Sequence, residues 1–172
     1  MAATSRSLPA IPFHDSSRSA PAVGAVTPAW LESRLTSADL RILDVRKAAE
    51  TARERHSARR GPPPAYVQGH IPGAVPLDVR TVLFDEAGTI VSAPELAMAM
   101  SGLGIGDRHT IVIVDEAVPE AAMAAAWALA RYGHAGVHVL EGGFARWVRE
   151  GRAVSRDIVR HPPASFTARV SS

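Results

Sequence analysis

Cysteine is absent from all 172 residues. Its absence excludes disulfides, thiolate zinc sites, iron–sulfur clusters and any reaction carried by a cysteine nucleophile of this chain. Lysine is nearly absent too: Lys47 stands alone among 19 cations, and the rest are arginine. The formal net charge is only +2. Few groups titrate above neutrality, so this small arginine excess lifts the pI to about 9.6. A pI reached in that way is no sign of a nucleic-acid surface. Aromatic residues make up 5% of the chain, and no apolar run nears the ~20 residues of a membrane span. Leu8, Ile11, Phe13 and Val23 are scattered among Ser, Pro and Arg, so the N-terminal stretch holds no signal-peptide core.

What is present is globular. Hydrophobic residues are 47% and charged residues 21%, in a chain of one-domain length. Residues 1–24 read as a disordered tail; their Ser/Arg-rich, acid-poor make-up also suits a transit peptide. Thr27-Pro28 reads as an N-cap and first helical position, with Trp30, Leu31 and Leu35 on the apolar face. Arg41–Val45 is β-like. Residues 46–64 read as a polar loop with room for a helical turn, and Arg46 to Arg60 holds six cations against two Glu. A solvated loop is the expectation for such a run, with an anion-binding arm as the alternative.

Ser92-Ala93-Pro94-Glu95 opens a helix with Leu96, Met100 and Leu103 as its apolar positions. The glycines of Gly102–Gly106 follow a helix and precede a strand, the reverse of a phosphate loop. Ile111–Val114 is a continuous β-branched run, as in a sheet buried on both faces. An Ala-rich helix over 119–132, a strand over 137–140 and a short helix with Phe144, Trp147 and Val148 on one face follow. Residues 152–172 are irregular, with an extended piece possible at 166–170. Strands alternating with helices predict an α/β fold with a mainly parallel sheet.

In such a sheet ligands bind at the carboxyl ends of the strands, against helix N-termini. Asp44-Val45-Arg46 and the segment Asp115-Glu116-Ala117-Val118-Pro119-Glu120 lie there. A helix N-terminus invites an anion. The second segment instead brings three carboxylates of its own and no Arg, Lys or Gly to wrap one. Its acids are expected to satisfy the helix start.

Three motifs carry a resemblance. They are Asp44-Val45-Arg46, Tyr66-Val67-Gln68-Gly69-His70-Ile71-Pro72-Gly73-Ala74, and Gly142-Gly143-Phe144-Ala145-Arg146-Trp147 with Gly133-His134 before it. Together they resemble a rhodanese domain over about Ala25 to Val154. The resemblance implies a three-layer domain, with a mainly parallel sheet of about five strands and helices on both faces. Within it, Gly69 and Gly73 permit tight backbone geometry and Pro72 fixes the approach to a strand. Asp44 and Arg46 are expected to tie neighbouring loops together, and His70 to be a structural hydrogen-bonding residue. Gly142-Gly143 lets the last helix close on the sheet, where Trp147 packs; Trp127 reads as core.

The family's active-site loop follows the central strand and begins with a cysteine that carries sulfur as a persulfide. Asp115 stands at that position, and the loop lacks a cation. Carboxylate oxygen cannot hold sulfur in that way, so no catalytic residue is expected. The pattern looks like the first, non-catalytic half of tandem-domain thiosulfate or 3-mercaptopyruvate sulfurtransferases, and residues 155–172 like the linker between halves. The resulting expectation is a binding, regulatory or partner domain. Its catalytic half would be missing from this chain and supplied by a separate Cys-bearing sulfurtransferase or other protein partner. No cofactor, metal, nucleic acid or membrane is implied, and a cytoplasmic location is the default. The alternative is an enzyme using the Asp44 and Asp115 carboxylates for metal-dependent phosphoryl or hydrolytic chemistry.

Overall fold

The computed structural model describes residues 23–46 and 62–170. Most of the cationic loop and most of the N-terminal segment lie outside these residues. Five strands form one sheet: β1 (Gly24–Val26), β2 (Leu40–Asp44), β3 (Ala74–Pro76), β4 (Thr110–Val114) and β5 (Val137–Leu140). The order across the sheet is β1-β5-β4-β2-β3, and every pairing is parallel. The expected α/β architecture is therefore present.

Helices cover both faces. They are α1 (Pro28–Glu32), α2 (Pro64–Gln68), α3 (Val79–Val82), α4 (Ala93–Gly102), α5 (Glu120–Arg131) and α6 (Gly143–Arg149). β4 shows why the sheet needs two coats. Ile111 and Ile113 enter one buried cluster with α3, α4 and α5, while Val112 and Val114 enter the other with α1, α2 and α6. Side chains alternate along a strand, so a continuous apolar run can be satisfied only by packing on both sides. The alanines of α5 carry almost no side-chain bulk, and six of them are buried.

Local signals explain the ends. The Thr27 hydroxyl accepts the Trp30 amide at 3.1 Å and starts α1. At α4, the Glu95 carboxylate accepts both the Ser92 amide at 2.9 Å and the Ser92 hydroxyl at 2.6 Å. One sequence expectation is corrected. Val148 is 48% exposed, whereas Phe144 and Trp147 are buried. The buried stripe of α6 repeats every three residues, so the residue after Trp147 turns outward. No strand forms over 166–170, but this stretch is not loose: Phe166 is 6% exposed and packs in the core with α4 and α5.

Candidate functional site

Arg46 organises the carboxyl end of the sheet. It follows β2 and is almost wholly buried, as is Asp44. Its Nε donates to both Asp44 oxygens at 3.0 and 3.1 Å, and its Nη2 donates to Oδ2 at 2.7 Å. Nη2 also donates to the Gly69 carbonyl at 2.6 Å and the Ala65 carbonyl at 3.3 Å, which seats α2 against β2. Nη1 lies 3.8 Å from the Glu116 carboxylate. The guanidinium stacks 3.8 Å from the centre of the Phe144 ring, a favourable cation–π geometry. One side chain thus joins β2, α2, the loop after β4 and α6.

The loop from Asp115 to Glu120 closes on itself. Asp115 Oδ1 accepts the Glu116 amide at 2.8 Å, and Oδ2 accepts the Ala122 amide at 3.0 Å inside the first turn of α5. The buried carboxylate takes up amides that a helix start otherwise leaves unpaired. Two backbone carbonyls of the same loop are also engaged. The Asp115 and Glu116 carbonyls accept the Phe144 and Ala145 amides, each at 2.8 Å. This contact demands glycine at position 143, where φ is +60° and a Cβ would sit 2.5 Å from the Asp115 oxygen. Pro119 offers no amide at all, and Val118 projects into solvent, 74% exposed. Glu116 and Glu120 are exposed as well.

The remaining motif residues form the wall beside this loop. The Ala74 amide donates to the Ile71 carbonyl at 3.0 Å. Pro72 and Gly73, the latter at φ +85°, occupy the middle of that type II turn. The His70 ring is fully buried and stacks on Tyr66 at 3.7 Å. Its Nδ1 meets the Tyr66 carbonyl at 2.7 Å and its Nε2 the Asp157 carbonyl at 2.8 Å. Its backbone pairs with Ser155 in both directions. His70 therefore fastens the chain that leaves α6. Trp147 does the same through its indole N–H, which donates to the Ala153 carbonyl at 2.8 Å.

Sequence reasoning overlooked Tyr66 and Phe144 as members of this site. The Tyr66 hydroxyl donates to the Ala74 carbonyl at 2.6 Å and receives the Val159 amide; burial raises its pKa. The signal was the spacing Tyr66-x-x-x-His70, which stacks two rings across the end of α2.

The Asp44 and Asp115 carboxylates are thus each occupied, one by a guanidinium and the other by two amides. Neither is a vacant ligand for a cation, and the loop offers an incoming anion no free cationic group.

A five-stranded parallel sheet with this loop, the Gly-His-Ile-Pro-Gly-Ala turn and the Gly-Gly-Phe helix start defines a rhodanese fold. The rhodanese-like domain family model matches residues 27–150, and the chain belongs to that family. The 3-mercaptopyruvate sulfurtransferase of Escherichia coli K12 is 31% identical over 143 residues, which cover 81% of this chain and 49% of that protein. A putative thiosulfate sulfurtransferase of Mycobacterium tuberculosis is 36% identical over 105 residues, covering 60% of this chain and 38% of that protein. The crystal structure of SseA from Escherichia coli superposes with a TM-score of 0.74 at 28% identity, covering 87% of this chain and 56% of that chain. The chain thus spans about half the length, or less, of the curated relatives it matches.

Proposed function

We propose that this rhodanese domain transfers no sulfur of its own and serves as the structural or binding partner of a Cys-bearing rhodanese domain. One observation carries the reading. The position that follows the central strand holds Asp115, its carboxylate locked by two amides, in a chain without cysteine. A persulfide needs a thiolate, and a lowered thiol pKa needs cations or free amides nearby. Here the loop carbonyls occupy the α6 amides, Pro119 has none, and Glu116 and Glu120 add negative charge. The match to half of a 3-mercaptopyruvate sulfurtransferase supports the partner role, because a domain related to one half of such a protein has a surface suited to the other.

Assays with thiosulfate and cyanide, and with 3-mercaptopyruvate and a thiol acceptor, are expected to show no turnover above a blank for the purified chain. Affinity capture from the source lysate is expected to bring down a Cys-bearing rhodanese protein in stoichiometric amount. Turnover retained in highly purified protein would overturn the inactivity, and capture of an unrelated protein alone would overturn the partner role.

A further inference from the structure

A second feature lies at the opposite end of the sheet from the Asp115 loop. The turn before β2, the amino-terminal half of β2, the Pro72–Gly73 turn and His161 line a half-open cavity of about 320 Å³. This is near the lower limit for small-molecule sites. Leu35, Leu40, Ile42 and Pro72 give it an apolar wall, and Arg41 and His161 line it as well.

Arg41 is half-buried and has no carboxylate within 4.0 Å among the described residues. Its Nε donates to the Gly104 carbonyl at 2.8 Å, and its Nη1 donates to the Ala38 and Leu40 carbonyls at 3.0 and 2.8 Å. These bonds hold the guanidinium in place without neutralising it, and Nη2 has no partner among the described residues. The nearby Asp39 carboxylate is exposed and faces Arg108 at 3.7 Å. Burial and the Arg108 charge lower the pKa of Arg41, and Asp39 only partly opposes them, as expected of a cation short of a close counter-charge. The His161 ring closes one side of the cavity, and its Nε2 is shielded from solvent.

We propose that this cavity binds a small carboxylate, with the anion on Arg41 and the apolar body against Leu35, Leu40, Ile42 and Pro72. A carboxylate supplies the missing counter-charge to a guanidinium already held by three backbone carbonyls. The reading is independent of what the Asp115 loop does.

Benzoate is the probe, titrated into the full chain at constant ionic strength and followed by amide chemical shifts, with benzamide as its neutral counterpart. Saturable shifts at residues 35–42, Gly73 and His161 are expected, with a Kd of order ~1 mM. Benzamide and Arg41→Gln should each bind at least about tenfold more weakly, which corresponds to ~1.4 kcal/mol. Because Arg41 also supports the Gly104 carbonyl, Ala38→Phe provides a second variant. Ala38 is exposed and lines the cavity, so Ala38→Phe should block benzoate while the thermal midpoint stays unchanged. No saturable shift, equal binding of benzamide, or undiminished binding in Ala38→Phe would overturn the proposal.

Discussion

Asp115 and Arg46 hold neighbouring loops by different means. Asp115 accepts amides on both oxygens, so its replacement leaves two N–H groups short of an acceptor. Asp115→Cys is therefore expected to cost about 1–3 kcal/mol of stability, the usual price of orphaned buried donors. It is also expected to gain no thiosulfate-to-cyanide turnover, because the loop sets the Glu116 and Glu120 carboxylates near the new thiol and holds no Arg or Lys to draw in an anionic sulfur donor. Urea melts and cyanolysis of any bound sulfane sulfur check both halves, and a variant that turns over would refute the second. Arg46→Ala should be more damaging. It leaves the Asp44 carboxylate, 3% exposed, without its partner, and breaking a buried pair from one side costs about 3–5 kcal/mol. The same loss should appear as a fall in the urea midpoint of the full chain. A change below about 1 kcal/mol, typical of exposed ion pairs, would show that Arg46 is not structural.

Elements differ in how far local chemistry decides them. Thr27 caps a helix of only five residues, so α1 depends on that cap and on the burial of Leu31, which is 0% exposed. Thr27→Ala is expected to cost about 1 kcal/mol in a chemical melt, and a cost near zero would mean that packing alone holds α1. Thr27-Pro28, Ser92-Ala93-Pro94-Glu95 and the run Ile111–Val114 were legible because cap chemistry and β-branched burial act within a few residues. The helices α2 and α3 were not. Each has five residues or fewer, less than the apolar repeat needs to show itself, and α2 is held by the remote Arg46 through the Ala65 and Gly69 carbonyls. The placement of Asp115 after β4 was legible from the β-branched run that precedes it, and the resemblance added that this is the family's active-site position. The engagement of its backbone by α6 was not, since residues 115 and 144 meet only through the parallel pairing of β4 with β5.

The whole molecule is closed by the irregular chain 155–170, which crosses the helix-to-strand connection Gly104–Gly106. The Asp107 amide donates to the Ser165 carbonyl at 3.0 Å. The Asp107 carboxylate receives the Thr167 amide and hydroxyl, each at 2.7 Å. The His134 ring stacks on Phe166 at 5.5 Å and accepts the Gly136 amide through Nδ1. His109 Nδ1 accepts the Gly106 amide at 2.7 Å. Each of these ring nitrogens must be unprotonated to accept.

Burial is the first cause that lowers the pKa of His109, His134 and His161. Arg41 and Arg108 push His109 further down, while Asp39 opposes them; the Gly106 carbonyl and Asp107 oppose the shift at His134. For a histidine with a folded pKa below its ordinary 6.5, the unfolded chain binds the proton first. The contribution to stability is complete above that value and is lost as pH falls below it toward the folded pKa. Asp107 adds a separate, lower window. Its pKa is held below the ordinary 3.8 by Thr167, so its contribution is present above 3.8 and goes as pH falls further.

The thermal midpoint should therefore be level from neutrality up to the ordinary tyrosine value of 10.0, decline as pH drops below about 6.5, and decline again in strong acid. His134→Asn, whose side-chain oxygen can still accept the Gly136 amide but does not titrate, should flatten part of the first decline and leave the second intact. A midpoint constant between neutrality and mild acid in the parent chain would show that these histidines do not couple closure of the C-terminal segment to protons.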